Sequence, residues 1–271
     1  MTFFPNAKIN IGLYITGKRD DGYHNIESLF YPLALRDAIE FIVGEPGSGD
    51  ELNTSGFVTD CAAEDNLVIK ALELMRKEHE LPPLKIHLHK AIPHGSGLGG
   101  GSSDAAFMLR YLNRYFKLGI DDGQLTRMAL QLGSDCAFFI SNRPSFISGR
   151  GEVIRESGLN LEGKHILIVY PGINISTAEA YRMVSPGKEV SDLEKKISMS
   201  PASWKDSIRN DFQEAIIQKH PLIGTIIEKI YDSGALYCSL SGSGSAVYAI
   251  FEGIPPRGQG YPGLWTWKGK L

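Results

Sequence analysis

Cysteine is scarce in this chain. Cys61, Cys136 and Cys238 are the whole set, far apart and without a Cys-x-x-Cys pair. An odd, scattered trio does not build a disulfide framework, and without paired spacing it does not build a structural zinc site. Histidine adds no metal pattern: His87 and His89 could share one strand face, but no third ligand accompanies them. No apolar run reaches the roughly 18 residues that a membrane span requires. The first dozen residues lack a charged segment followed by an apolar one, so no targeting segment is expected and the chain reads as cytoplasmic. Positive charge is not in excess either. Lys and Arg number 28 against 31 Asp and Glu, a net charge of −3, which offers a nucleic acid polymer no bulk attraction. No obligate protein partner is implied. What remains is an ordinary globular composition, 42% hydrophobic and 22% charged over 271 residues, enough for about two domains.

Local patterns sketch the elements. Ile9, Ile11, Leu13 and Ile15 recur at period two, which predicts a strand over residues 7–16 with one apolar face. Lys8 and Asn10 take the opposite parity and so share a face. A polar turn at residues 18–22 leads to a second extended stretch through residues 26–31. Asp65 is placed to cap a helix over residues 66–79. Residues 85–90 alternate again, with Ile86 and Leu88 inward. Helical patterns follow at residues 105–116 and 125–132, then an apolar run at 136–140. Residues 151–163 are polar and uneven, and the boundary falls there, dividing the chain into 1–157 and 158–271. Beyond it come a buried-type strand at 164–170, a short helix beginning at Ser176 or Thr177, and a charged, weakly periodic stretch at 186–201. A helical stretch at 208–231 is split by Pro221. Strand, turn, strand over 237–251 and a terminal strand carrying Trp265 and Trp267 complete the chain.

The strongest anomaly lies at residues 95–101, where five of seven residues are glycine and a helical pattern follows directly. Glycine lets the backbone approach a ligand closely and reach positive φ. Successive N–H groups then converge on an anion, and the helix start adds unpaired donors and the positive end of its dipole. A phosphate is the natural guest. Gly95-x-Gly97-x-x-Gly100 formally matches a dinucleotide fingerprint, with Asp121 or Asp122 as its acid, but no apolar strand runs directly into it. The Walker pattern is missing, because no lysine follows any glycine of this loop.

Several segments together resemble the GHMP kinase superfamily. They are residues 5–13 (Pro-Asn-Ala-Lys-Ile-Asn-Ile-Gly-Leu), the glycine segment 93–106, Leu132-Gly133-Ser134-Asp135 and residues 241–246 (Ser-Gly-Ser-Gly-Ser-Ala). Asp21-Gly22-Tyr23-His24 is similar to the part found in the branch that takes a cytidyl-diphosphate substrate. The resemblance implies an α/β (α+β) fold of two domains, ribosomal-protein-S5-like then ferredoxin-like. The first would bind ATP and hold the catalytic groups, and the second would complete the substrate cleft. It implies an ATP- and Mg2+-dependent kinase that phosphorylates the 2-hydroxyl of a cytidyl-linked methylerythritol, on the non-mevalonate route to isoprenoids. In that picture Asp135 takes the hydroxyl proton and Lys8 holds it ionised. Pro93, Gly95, Ser96, Gly97, Leu98, Gly99, Gly100, Gly101, Ser102 and Ser103 bind the ATP phosphates, Ser103 reaching the β-phosphate or the metal. Asn10, Tyr23, His24, Thr177 and Tyr181 bind the substrate, with Tyr23 and Tyr181 on either side of the base. No protein ligand of Mg2+ is assigned, and Asp104 reads as a helix-start residue. Ser96, Cys136 and Ala137 depart from the residues usual at their places, and the carboxy-terminal end is short. Another superfamily kinase, an NAD-dependent oxidoreductase and a non-catalytic nucleotide binder remain as alternatives.

Overall fold

The computed structural model describes residues 1–57, 62–185, 192–256 and 261–271. Cys61 and residues 186–191 of the charged stretch lie outside them. The first half of the chain runs β1 (Thr2–Phe3), β2 (Asn6–Lys18), β3 (His24–Arg36), β4 (Ala38–Val43), β5 (Glu51–Gly56), α1 (Leu67–Arg76), β6 (Leu84–Lys90), α2 (Gly100–Phe116), α3 (Asp122–Leu132) and α4 (Phe138–Ser141). The second half runs β7 (Ser145–Gly149), β8 (Val153–Glu156), β9 (His165–Tyr170), α5 (Thr177–Arg182), α6 (Leu193–Ile197), α7 (Gln213–Lys219), α8 (Pro221–Asp232), β10 (Tyr237–Leu240), β11 (Val247–Phe251) and β12 (Trp265–Lys270). These elements form two units that interleave along the chain. One comprises Met1–Ala7, Leu35–His94 and Gly99–Arg143; the other comprises Lys8–Ala34, Gly95–Leu98 and Pro144–Leu271.

The first unit carries the sheet β1-β4-β6-β5, antiparallel except for the parallel pair β5–β6. In β6 the sequence alternates as expected: Leu84, Ile86 and Leu88 are buried and the residues between them exposed. The same parity buries Lys90. Helix α1 begins one residue later than expected, because Asn66, not Asp65, accepts the Val68 N–H at 3.0 Å. Both are good caps, and Asp65 instead pairs with Lys70 at the surface. Helix α2 buries Ala105, Ala106, Met108, Leu109 and Leu112, the stripe that a 3.6-residue period requires.

The second unit holds two sheets, β2-β3-β7-β8 and β10-β11-β9-β12. The latter is antiparallel throughout, with the strand order of a ferredoxin-like βαββαβ unit. The crossover from β9 to β10 carries helices, whereas the described residues between β11 and β12 carry none. Strand β12 pairs with β9, setting Trp267 opposite Ile168. Helix α8 starts on Pro221 and buries Ile223, Ile226, Ile227 and Ile230, each worth about 1.5–3 kcal/mol in burial. They meet Leu167, Val169, Leu240, Val247 and Ala249 of the sheet in one core. Strand β2 differs from the expected one-sided strand, for residues 6–15 are buried on both faces. Among the described residues no helix is long and apolar enough to cross a membrane.

Candidate active site

Gly95, Gly97 and Gly99 hold φ of 62°, 80° and 73°, a left-handed conformation that a side chain disfavours. Gly99 leads directly into α2, and no side chain caps that helix. Its first N–H groups are therefore the donors that an anion would satisfy. The Ser103 hydroxyl is fully buried at this helix start and finds no hydrogen-bond partner. Gly97 is needed for a second reason. A methyl group there would stand 1.9 Å from the Ser241 carbonyl oxygen. Ser241 Oγ donates to the Gly97 carbonyl at 2.8 Å, and the Ala246 N–H donates to the Ser96 carbonyl at 3.0 Å. The serine-glycine turn between β10 and β11 thus braces residues 96 and 97 through backbone contact, as its glycines allow. Asn210 holds that turn in place, donating to the carbonyls of Leu240 and Gly242 at 3.1 and 2.8 Å.

Lys8 and Asn10 are 2% and 1% exposed, on adjacent same-face positions of β2. Lys8 Nζ donates to Asn10 Oδ1 at 2.5 Å and lies 4.3 Å from the centre of the Phe30 ring. The Lys8 N–H donates to the Leu98 carbonyl at 2.9 Å, fastening the strand to the glycine segment. Asp135, half-buried, sits in the turn between α3 and α4. Burial pushes the thiol of its neighbour Cys136 up to about 12, offset in part by the Ser102 side chain. The turn carrying Asp135 joins α3 to α4, both of which pack against α2.

Under the glycine segment is a charge cluster that motif reading missed. Lys90 Nζ, at the end of β6, donates to Asp104 at 2.7 Å and also to Asp37. All three side chains are at most 3% exposed. Asp37 also accepts the N–H groups of Ala91 and Ile92 at 2.6 and 2.8 Å. Lys90 and Asp104 flank the glycine segment in sequence, so the cluster ties its two ends together. Burial would lower the Lys90 pKa, but the two facing carboxylates outweigh it and raise it. Burial pushes Asp104 up to about 7, against the pull of Lys90. Asp104 lies near the start of α2, as expected, and is also an internal ion-pair partner.

The rings of the candidate substrate residues make three contacts in the second unit. His24 stacks on Tyr181, with ring centres 4.7 Å apart and planes 13° from parallel. Tyr181 in turn meets Phe212 edge-on at 5.0 Å. Tyr23 is 54% exposed, with the Arg150 guanidinium 4.7 Å from its ring centre. Thr177 opens α5, whose N-terminus is capped by Ser176 accepting the Glu179 N–H. Among the described residues no group of three or more His, Cys, Asp or Glu is arranged to hold a metal ion.

Gly99 at positive φ, opening a helix that no side chain caps, is the local form of a loop that takes a phosphate at a helix start. Residues 66–143 match the family described as GHMP kinases N terminal domain, and residues 190–257 match GHMP kinases C terminal. The 4-diphosphocytidyl-2-C-methyl-D-erythritol kinase of Bacteroides thetaiotaomicron is 46% identical over 274 aligned positions, covering 100% of both chains. The kinase of the same name from Porphyromonas gingivalis is 46% identical over 257 positions, covering 94% of this chain and 93% of its own. A crystal structure of a 4-(cytidine 5'-diphospho)-2C-methyl-D-erythritol kinase superposes with a TM-score of 0.79 at 28% identity, covering 94% of this chain and 91% of that one. The chain belongs to the GHMP kinases and, within them, to the 4-diphosphocytidyl-2-C-methyl-D-erythritol kinase family.

Proposed function

We propose that the chain transfers the γ-phosphoryl group of ATP to the 2-hydroxyl of 4-diphosphocytidyl-2-C-methyl-D-erythritol, a step toward isoprenoid precursors in the cytoplasm. The observation that carries this reading is the glycine segment itself: Gly95, Gly97 and Gly99 at positive φ, opening onto α2. Lys8 is joined to it through the Leu98 carbonyl. In-line phosphoryl transfer needs charge compensation on the phosphates and a group positioned to take the hydroxyl proton. The backbone N–H groups of Gly97 to Ser102 and the buried Ser103 hydroxyl supply the first. Asp135 is assigned the second, and Lys8 is assigned to the negative charge on the transferring group. Asn10, Tyr23, His24, Thr177 and Tyr181 are assigned to the cytidyl substrate, the aromatic rings offering stacking worth about 1–3 kcal/mol. Residues 1–157 are assigned ATP binding and catalysis, and 158–271 completion of the substrate site.

The residues also fit the Mg2+ that a triphosphate brings. The orphaned Ser103 hydroxyl faces no competing partner, and Mg2+ commonly keeps its water and phosphate oxygens rather than a protein cage. When bound, it neutralises charge on the β- and γ-phosphates.

ADP release with the cytidyl substrate, run beside mevalonate, tests the proposal. Turnover with the former and none with the latter is expected. Equal turnover, or turnover with mevalonate alone, would refute the substrate assignment.

A further inference from the structure

We propose that Ser28 is a positioning residue for phosphoryl transfer: its hydroxyl fixes the Asn10 amide so that an oxygen faces the Lys8 ammonium. This rests on the reading of Lys8 as part of the catalytic site.

The hydrogen bonds run in one direction only. A lysine ammonium has donors and no acceptor, so the atom that it meets at 2.5 Å is Asn10 Oδ1. The Asn10 amide nitrogen is then turned toward Ser28 Oγ at 3.1 Å and donates to it. Ser28 has one proton, and it goes to the Gly12 carbonyl at 2.6 Å. The chain Lys8–Asn10–Ser28–Gly12 runs from donor to acceptor at each link. Flipping the amide would set its NH2 against the ammonium, two donors face to face, and would leave its oxygen facing a hydroxyl whose proton is already committed.

Burial makes this orientation binding. Lys8, Asn10 and Ser28 are 2%, 1% and 0% exposed, so solvent does not readily replace a lost partner, and an unsatisfied buried group is expensive. The backbone is held independently, because Tyr248 Oη donates to the Asn10 carbonyl at 2.7 Å. What Ser28 adds is the orientation of the side-chain amide. Without its hydroxyl the amide nitrogen has no acceptor there, and the ammonium alone is left to set the direction of the amide. The contact of Lys8 with the Asn10 oxygen is then less firmly held.

Steady-state kinetics on Ser28→Ala, Asn10→Asp and the double variant test this. Ser28→Ala should lower kcat about tenfold to a hundredfold, the range of one lost or misdirected hydrogen bond to a charged group, while KM for ATP stays within about twofold. A carboxylate at position 10 has acceptors at both ends and no orientation to fix. In the Asn10→Asp background, Ser28→Ala should therefore lower kcat by less than about threefold. An equal loss in both backgrounds would show a merely structural role and overturn the proposal, as would a kcat for Ser28→Ala within about twofold of the parent enzyme. The parent enzyme separates the two readings. No turnover in it refutes the catalytic reading, whereas an active parent with a normal Ser28→Ala variant refutes the positioning role alone.

Discussion

Replacing Gly97 by alanine should injure stability and nucleotide binding together, and the structure says by how much. Two effects add. The first is conformational: φ at Gly97 is 80°, which an alanine adopts at about 1–2 kcal/mol. The second is steric: the new methyl would lie 1.9 Å from the Ser241 carbonyl oxygen, a backbone atom that cannot rotate away. The turn at 241–246 must retreat, breaking the Ser241 Oγ to Gly97 bond and the Ala246 to Ser96 bond, each worth about 1 kcal/mol. The sum is about 3–4 kcal/mol. Gly234 supplies the control. Its φ is 91°, and nothing lies within 4 Å of an added methyl, so Gly234→Ala carries only the first effect, about 1–2 kcal/mol. Urea unfolding of both variants measures the difference, and ATP titration of the kinase reads the loop. Gly97→Ala should lose about twice as much stability and raise KM for ATP, while Gly234→Ala leaves KM unchanged. Equal losses in the two variants, with an unaltered KM for ATP, would refute the claim that Gly97 is held by backbone contact with Ser241.

Four further outcomes are expected. Asp135→Asn should lower kcat by about 10²–10⁴ with ATP affinity by calorimetry unchanged; a kcat near the parent value would remove Asp135 as the base. Tyr23→Ala should raise KM for the cytidyl substrate and spare KM for ATP, so an unchanged substrate KM would take Tyr23 out of the pocket. Lys90→Met should cost about 3–5 kcal/mol in urea unfolding, because Asp37 and Asp104 stay buried with their cation gone; a loss under about 1 kcal/mol would contradict the ion-pair reading. The Asp104 carboxyl is raised from 3.8 to about 7, chiefly by burial. Between those values the folded chain keeps a proton that the unfolded chain has released. The stability tied to that proton is fully present below about pH 4 and lost as pH climbs through about 7. Asp104→Asn should flatten this part of the stability-versus-pH curve, and an unchanged slope would show that Asp104 does not titrate there.

Much of this architecture is legible in local patterns, and the exceptions share one cause. The isoleucines at 9, 11 and 15 mark β2, and the glycines at 95–101 mark the phosphate loop, because each signal lies within a few neighbouring residues. The burial of Lys8 and Asn10 is not visible that way. Alternation says which residues share a face, not whether the polar face meets water, and here it does not because Lys8, Asn10 and Ser28 satisfy one another. Ser28 is 18 positions from Asn10, in another strand, and nothing in its own surroundings announces the pairing. Asp65 and Asn66 show the opposite limit: both are sound caps, and only the backbone at the helix start chooses between them.

Lys90 shows where a signal was present and went unread. It continues the inward parity of Leu84, Ile86 and Leu88, and an ammonium on a buried parity demands anionic partners. That demand can be written down from the sequence. Its answer cannot, since Asp37 and Asp104 stand 53 and 14 positions away and only the fold brings them together. The same reasoning explains why the chemistry of this site was easier to read than its support. Groups that meet a ligand are constrained by the ligand and recur in recognisable strings. Groups that hold them are constrained by three-dimensional neighbours and leave only a polar residue where an apolar one belongs. A buried-parity lysine, serine or asparagine beside a motif is therefore a place to look for a positioning role, and Ser28 and Lys90 are the two cases that this chain provides.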